Sequence, residues 1–130
     1  MMETQKLYAR SKIWLEDSDG KVVFGLGRYK IFKTIQTLGS LNAAAKELKM
    51  GYPAIWARIH ATEERLGQSL LVKKTGGTSG GGSQLTPLAE ELIDHFEKIQ
   101  ASVEQKTDSL FAENLGAYMD LSLKKDGNLP

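Results

Sequence analysis

Between Leu26 and Gly67 the chain adopts a helical period and is punctuated three times, and this stretch decides most of what it can become. In "LGRYKIFKTIQTL" the residues Ile31, Ile35 and Leu38 recur at steps of four and three with Phe32 beside them, the spacing of one helix face. Gly39 stops that helix, and Ser40 is placed to cap the next. The second helix, "LNAAAKELK", is short, Ala-rich and runs to Leu48, after which Met50 and Gly51 form a turn. A third begins at Tyr52 with Pro53 near its first turn, where a missing amide proton costs nothing. It sets Ile55 and Ile59 on one face with Leu66 further along, and Gly67 ends it. A short helix, a tight turn and a longer helix make a helix-turn-helix pattern. The small Ala43, Ala44 and Ala45 let the two helices cross closely.

Downstream, "QSLLVKK" reads as a strand and "SQLTP" as its return, with five glycines among residues 76–82 between them. Such a loop invites comparison with a phosphate-binding loop. That motif needs Lys and Ser or Thr directly after its glycines and must feed a helix within a parallel α/β sheet. Here Gly82 is followed by Ser83, Gln84 and Leu85, and the chain has no βαβ repeat. Directly after a helix-turn-helix, a strand, a flexible loop and a returning strand form the wing of a winged helix. Glycine leaves the wing's backbone amides open to phosphates.

Two flanking segments complete the architecture. "SKIWLEDSDGKVVFG" alternates apolar residues on either side of an Asp-Gly turn, a hairpin signature, with Trp14 on the face opposite Ile13 and Leu15. Two strands alone are marginal, so the hairpin packs on its own domain or on a partner chain. At the other end Thr86 and Pro87 open a long helix in which Leu88, Leu92, Phe96, Ile99, Val103 and Leu110 recur at steps of four, four, three, four and seven. The run keeps the three-four alternation of helices that pair, broken by Lys106. A homodimer is therefore expected, with Phe96, Ile99, Val103 and Leu110 buried between two long helices and Trp14 packed against the partner. The tail after Gly116 offers only Tyr118, Met119 and Leu121 to an apolar patch.

Composition bounds the function. The formal charge of +1 conceals a partition, since residues 26–84 carry nine basic against three acidic side chains, a net of +6, and residues 85–130 carry four against nine. A basic middle attracts a polyanion. With 41% hydrophobic and 25% charged residues the chain is globular, and no run approaches the roughly 18 apolar residues of a membrane span. The first ten residues hold no apolar core of a secretion signal, so the cytoplasm is the expected location. The absence of cysteine excludes disulfides, thiolate metal sites and cysteine nucleophiles together. His60 and His95, 35 positions apart, have no metal-ligand companion at helical spacing, and no serine or carboxylate pair has a catalytic setting. No enzyme activity and no cofactor are expected. At 130 residues one domain is expected, as an N-terminal extension (1–10), a winged helix-turn-helix with its leading hairpin (11–86), a long helix (87–113) and a tail (114–130).

The segments "GLGRYKIFKTIQTLGSLNAAAKELKMGYPAIWARI" and "LLVKKTGGTSGGGSQLTPLAEELI" resemble the N-terminal DNA-binding domain of ModE-type molybdate-responsive regulators over roughly residues 11–110. Gly27 and Arg28, Gly39 and Ser40, Tyr52 and Trp56, and the doubled glycine cluster before Leu85 carry the likeness. A broader resemblance, through "AAAKEL", Pro53, Ala54, Ile59, Glu63, Leu66, Gly67 and "SLLVKK", is to the winged helix of LysR-type regulators. The chain departs from the ModE pattern at Gly51, where Ser is usual, and at Pro53 and Ala54, where a polar or basic pair is usual, which leaves fewer donors at the front of the third helix. The molybdate-sensing part of that family follows the long helix, and about 20 residues remain here after Leu110, so the expectation is a regulator without that sensing domain.

The fold class expected is mainly α with small β, a winged helix-turn-helix with an N-terminal hairpin and a long C-terminal dimerisation helix. The expected function is transcriptional regulation through double-stranded DNA, with a separate sensor protein as a further partner. Arg28, Tyr52, Pro53, Trp56, Arg58, Lys73, Lys74, Thr78 and Ser79 are the candidate DNA-binding residues, with Arg58 on a base edge or a phosphate and Arg28, Lys73 and Lys74 on phosphates. Whether Trp56 reads DNA or packs inward stays open at this point, as does the alternative of a winged-helix module that binds protein.

Overall fold

The computed structural model describes residues 6–73 and 82–116. Its contacts form two units, one of Trp14–Phe96 and one of Met1–Ile13 with Glu97–Pro130.

The first unit opens with a hairpin of β1 (Trp14–Glu16) and β2 (Val22–Gly25), paired Trp14↔Gly25, Leu15↔Phe24 and Glu16↔Val22. At its turn the Asp17 carboxylate accepts from the backbone amides of Lys21 and Asp19, both at 2.9 Å. The Lys21 bond foremost holds that carboxyl below its ordinary pKa. The register skips Val23, a bulge that leaves this residue out of the ladder and re-aims the strand. In consequence the consecutive Val23 and Phe24 are both buried, while all of β1 is exposed.

Three helices follow: α1 (Leu26–Leu38), α2 (Leu41–Glu47) and α3 (Tyr52–Leu66). Gly39 ends α1 in the left-handed region at φ 78°, a conformation that costs a side chain but not glycine. The Ser40 hydroxyl then accepts from the Ala43 amide at 2.9 Å and starts α2. Ile31, Phe32 and Ile35 of α1, Leu41, Ala44 and Ala45 of α2, and Ile55, Ile59 and Thr62 of α3 are buried. Leu38 and Leu66, which the periodicity places on core faces, are exposed, because each sits in the last turn of its helix, beyond its buried stretch. Thr62 has a specific task. Its hydroxyl donates to the Val23 carbonyl at 2.8 Å, satisfying the residue that the bulge releases, and Arg65 donates to the neighbouring Val22 carbonyl.

After α3 the carboxylate of Glu63 accepts from the amides of Leu70 and Leu71 at 2.8 and 3.2 Å, which sets the direction of β3 (Leu71–Lys73). β3 pairs antiparallel with β4 (Ser83–Leu85) as Leu71↔Leu85, Val72↔Gln84 and Lys73↔Ser83, the base of a wing. Thr86 closes that base, its hydroxyl donating to Ser69 O at 2.9 Å and its amide to Leu70 O at 3.0 Å. The same hydroxyl accepts from the Ala89 amide at 3.3 Å and caps α4 (Pro87–Leu115). The wing's return is also held from the side. The Ser83 amide donates to the Gly39 carbonyl at 3.0 Å, and a Cβ at Gly82 would lie 2.6 Å from that oxygen. Gly82, one of the five clustered glycines, is thus a close-approach residue rather than part of a free tip.

Along α4 the first unit buries Ala89, Ile93 and Phe96. The Phe96 ring meets Phe24 edge-on at 5.1 Å and 78° and stacks with Tyr29 at 5.6 Å and 29°. This corrects the expectation that Phe96 lines a helix-pairing seam, because its ring is consumed by the core of its own chain. In the second unit Gln100 is only 4% exposed. Its amide oxygen accepts from Ile13 N at 2.9 Å, and its amide nitrogen donates to Ser11 O at 2.8 Å and to Glu104 at 2.9 Å. Ile99 and Leu110 of the same helix are 50% and 44% exposed. A helix-turn-helix followed by a two-stranded wing, with a leading hairpin and a long helix, is a winged helix-turn-helix fold.

Two substitutions test these ties. Gly82→Ala forces the wing's return off Gly39 and is expected to destabilise the chain by about 1–3 kcal/mol in denaturant unfolding. Thr62→Val, close in shape, leaves the Val23 carbonyl without its bond and is expected to cost about 1–3 kcal/mol by the same measurement. Unchanged unfolding midpoints would contradict both attributions.

Candidate nucleic-acid interface

The helix α3 is the element around which the candidate residues gather. From Gly51 to Arg58 only Ile55 is buried. Ile55, Ile59 and Thr62 fix one side of the helix to the core, and the other sides divide between two chemistries.

One edge is aromatic. Tyr52, Trp56 and His60 follow at steps of four, which stacks them along one line of the helix. Trp56 and His60 lie ring over ring at 4.7 Å and 14°. The His60 imidazole is flanked by Glu64 at 3.3 Å and Glu63 at 3.9 Å. Tyr52 and Trp56 are 46% and 50% exposed, so Trp56 does not pack into the core. This edge forms one wall of a cleft of about 160 Å³ whose other wall is the wing, through Leu71, Val72, Lys73 and Ser83.

The opposite edge carries Arg58 and Arg65, seven residues apart and so nearly in line after two turns. Arg65 reaches β2 at Val22. Arg28, in the first turn of α1, belongs with them: burial first, then the charges of Arg65 and Arg58, lower its pKa from the ordinary guanidinium value. Its Nε is buried without a hydrogen-bond partner.

The predicted residues therefore do not form one patch. Tyr52 and Trp56 join Lys73 at the wing-side cleft, and Pro53 is exposed on the first turn between the two edges. Arg28 and Arg58 do not line that cleft; Arg58 lies on the edge of α3 from which Arg65 bonds the hairpin at Val22. Lys74, Thr78 and Ser79 fall outside the described residues. Trp14, proposed for a partner contact, is exposed on β1, where its indole donates to Glu16 at 2.7 Å. Sequence reasoning weighed His60 only as a metal ligand, although its four-residue step from Trp56 is a stacking distance on a helix. It also missed Arg65, whose seven-residue step from Arg58 was the available signal. Among the described residues, no helix is long and apolar enough to cross a membrane.

Comparison with known proteins gives a consistent result. The family model described as bacterial regulatory helix-turn-helix protein, lysR family, matches residues 26–90, half of the chain. The chain is 36% identical over 77 residues to the transcriptional regulator ModE of Haemophilus influenzae, covering 59% of itself and 30% of that protein. It is 35% identical over 79 residues to the molybdenum-pterin-binding protein MopB of Rhodobacter capsulatus, covering 61% of itself and 29% of the relative. The matched region thus spans less than a third of these relatives' length. Among solved structures, that of a CbnR DNA-binding domain in complex with DNA superposes with a TM-score of 0.52 at 25% identity, over 67% of this chain and 94% of that one.

The two sides of α3 predict opposite stability costs for adjacent residues. Ile55→Ala is expected to lose about 2–5 kcal/mol, the range for emptying a packed apolar site. Trp56→Ala, at an exposed position, is expected to change unfolding free energy by less than about 1 kcal/mol. A large loss for Trp56→Ala would return that ring to the core.

Proposed function

The chain belongs to the bacterial regulatory helix-turn-helix family of lysR type, and from that membership we propose that it is a DNA-binding transcriptional regulator whose α3 enters the major groove of a duplex. The observation that carries this reading is the exposure of α3 from Tyr52 to Arg58 around the single buried Ile55. A core helix does not leave its leading two turns in water, whereas a groove-binding helix must. The net +6 over residues 26–84 supports the same reading, as does the likeness to a DNA-binding domain solved on DNA.

Tyr52 and Trp56 approach base edges or thymine methyl groups, and Lys73 at the wing base takes a phosphate. Lys74, Thr78 and Ser79 belong to this interface by sequence. The protein acts by binding, in the cytoplasm, as a homodimer on a site of matching two-fold symmetry. Ile99, Val103 and Leu110 form the pairing surface of α4, supported by the exposure of Ile99 and Leu110 on a helix of 29 residues.

Binding is to be measured by mobility shift at two or more salt concentrations on duplexes selected from a genomic pool. Affinity is expected to fall steeply with salt, and Lys73→Ala is expected to reduce the salt slope by about one on every duplex alike. Light scattering is expected to give twice 14.3 kDa for the parent protein, and 14.3 kDa with weakened DNA binding for Ile99→Asp combined with Leu110→Asp. No salt-dependent binding to any selected duplex would overturn the regulatory reading and leave a protein-binding module, which the apolar edge of Tyr52 and Trp56 would then serve.

A further inference from the structure

We propose that His60 is a positioning residue for sequence reading: it holds the indole of Trp56 flat against its own ring, so that Trp56 meets a base in an orientation fixed beforehand. The proposal rests on the DNA-binding reading above and names a residue that sharpens it.

Trp56 needs such a support. It stands 50% exposed in the second turn of α3, and an exposed side chain that rotates freely must be immobilised when it meets a base, at the expense of affinity. On a helix the side chain four residues on lies directly beside it. For Trp56 that neighbour is His60, whose ring stacks on the indole at 4.7 Å between centroids with planes 14° apart.

A support works only if it is itself held. The two imidazole nitrogens face a carboxylate on either side, Nε2 at 3.3 Å from Glu64 Oε1 and Nδ1 at 3.9 Å from Glu63 Oε1. Glu64 is 70% exposed and is the looser of the two. Glu63 is fixed, because its other oxygen accepts from the amides of Leu70 and Leu71 at 2.8 and 3.2 Å. The imidazole plane is thereby set from the entry of the wing, and the indole plane from the imidazole.

The same surroundings argue that His60 supports the reading ring rather than touching DNA itself. A recognition helix meets base edges through its N-terminal residues, and His60 stands one turn behind Trp56. Glu63 and Glu64 beside it repel a phosphate from that spot, and the cation of the cleft is Lys73 on the wing. A ring held in one plane fits one arrangement of bases and clashes with others, so its fixation acts on the preferred duplex above all.

The test uses the full chain and reads two things. Free in solution, the His60 ring protons, identified by their loss in His60→Ala, are expected upfield in the NMR spectrum, shielded by the indole face, and are expected to move downfield in Trp56→Ala. Affinity is then measured on the best-bound duplex of the selected pool and on an unrelated one. His60→Ala is expected to lose about two- to tenfold on the first and nothing on the second, with an unchanged melting curve. His60→Phe, which returns a flat ring to Trp56, is expected to recover most of that loss. In a Trp56→Ala background His60→Ala is expected to cost nothing further, since the two side chains act as one.

Equal affinity of His60→Ala and the parent for the selected duplex overturns the proposal and leaves the regulatory reading standing. A loss that His60→Phe does not recover, or that persists in the Trp56→Ala background, overturns it too, because His60 is then a direct contact. A loss of equal size on both duplexes does the same, as do His60 resonances that ignore Trp56→Ala. A parent that binds no duplex with salt dependence overturns the regulatory reading and this role with it; the two failures separate, because the NMR measurement needs no DNA.

Discussion

The first unit depends on the contact between Phe24 and the rings around it. Phe24 is wholly buried, 6.0 Å from Phe32 of α1 and 5.1 Å from Phe96 of α4, so one side chain of a four-residue strand fastens two helices that lie far apart in sequence. Burying each such ring is worth about 1.5–3 kcal/mol, and the edge-to-face pairing with Phe96 adds about 0.5–1.5 kcal/mol. The bulge at Val23 makes this geometry available by re-aiming the strand. It also frees a carbonyl that must be satisfied, and Thr62 supplies the donor. The hairpin is therefore a structural part of the helix-turn-helix, and it fixes α3 about its own axis. Both edges of that helix inherit their direction from this contact.

With its axis fixed, α3 separates two kinds of chemistry that a disordered basic segment would mix. Aromatic rings on the wing side suit shape and base faces, where geometry discriminates. Arginines on the hairpin side suit a uniform polyanion, which binds tightly but carries no sequence information. The wing base is coupled to the same frame through Thr86 and through the approach of Gly82 to Gly39, so the turn that ends α1 also positions the returning strand.

Much of this was readable from the sequence because caps and breakers act locally. Gly39, Ser40, Pro53, Gly67 and Thr86 mark element ends through their own backbone chemistry, and every one of these ends lies where those residues placed it. The failures share another cause. A helical period finds apolar stripes but not the neighbour each faces, so Phe96 was read onto a pairing seam together with Ile99, one position from the buried Gln100. The same blindness placed Leu38 and Leu66 inside. Arg28 and Arg65 are 37 positions apart, and nothing local announces that the charges of Arg65 and Arg58 on α3 act on a half-buried Arg28 on α1. Gly82 looked like one more flexible residue of the loop, because a steric requirement set by Gly39 O is a property of the folded pair.

Gln100 offers residues 11–13 what a neighbouring strand would offer, an acceptor for Ile13 N and a donor for Ser11 O, from a single side-chain amide. An extended chain alternates the direction of its backbone groups at each residue, so sliding this segment by one position would present Gln100 with groups that point away. The N-terminal arm is thereby indexed to the helix like a key with a single notch. What the notch fixes is the count of residues between Ser11 and Ile13, because one side-chain amide must meet a carbonyl and an amide two residues apart.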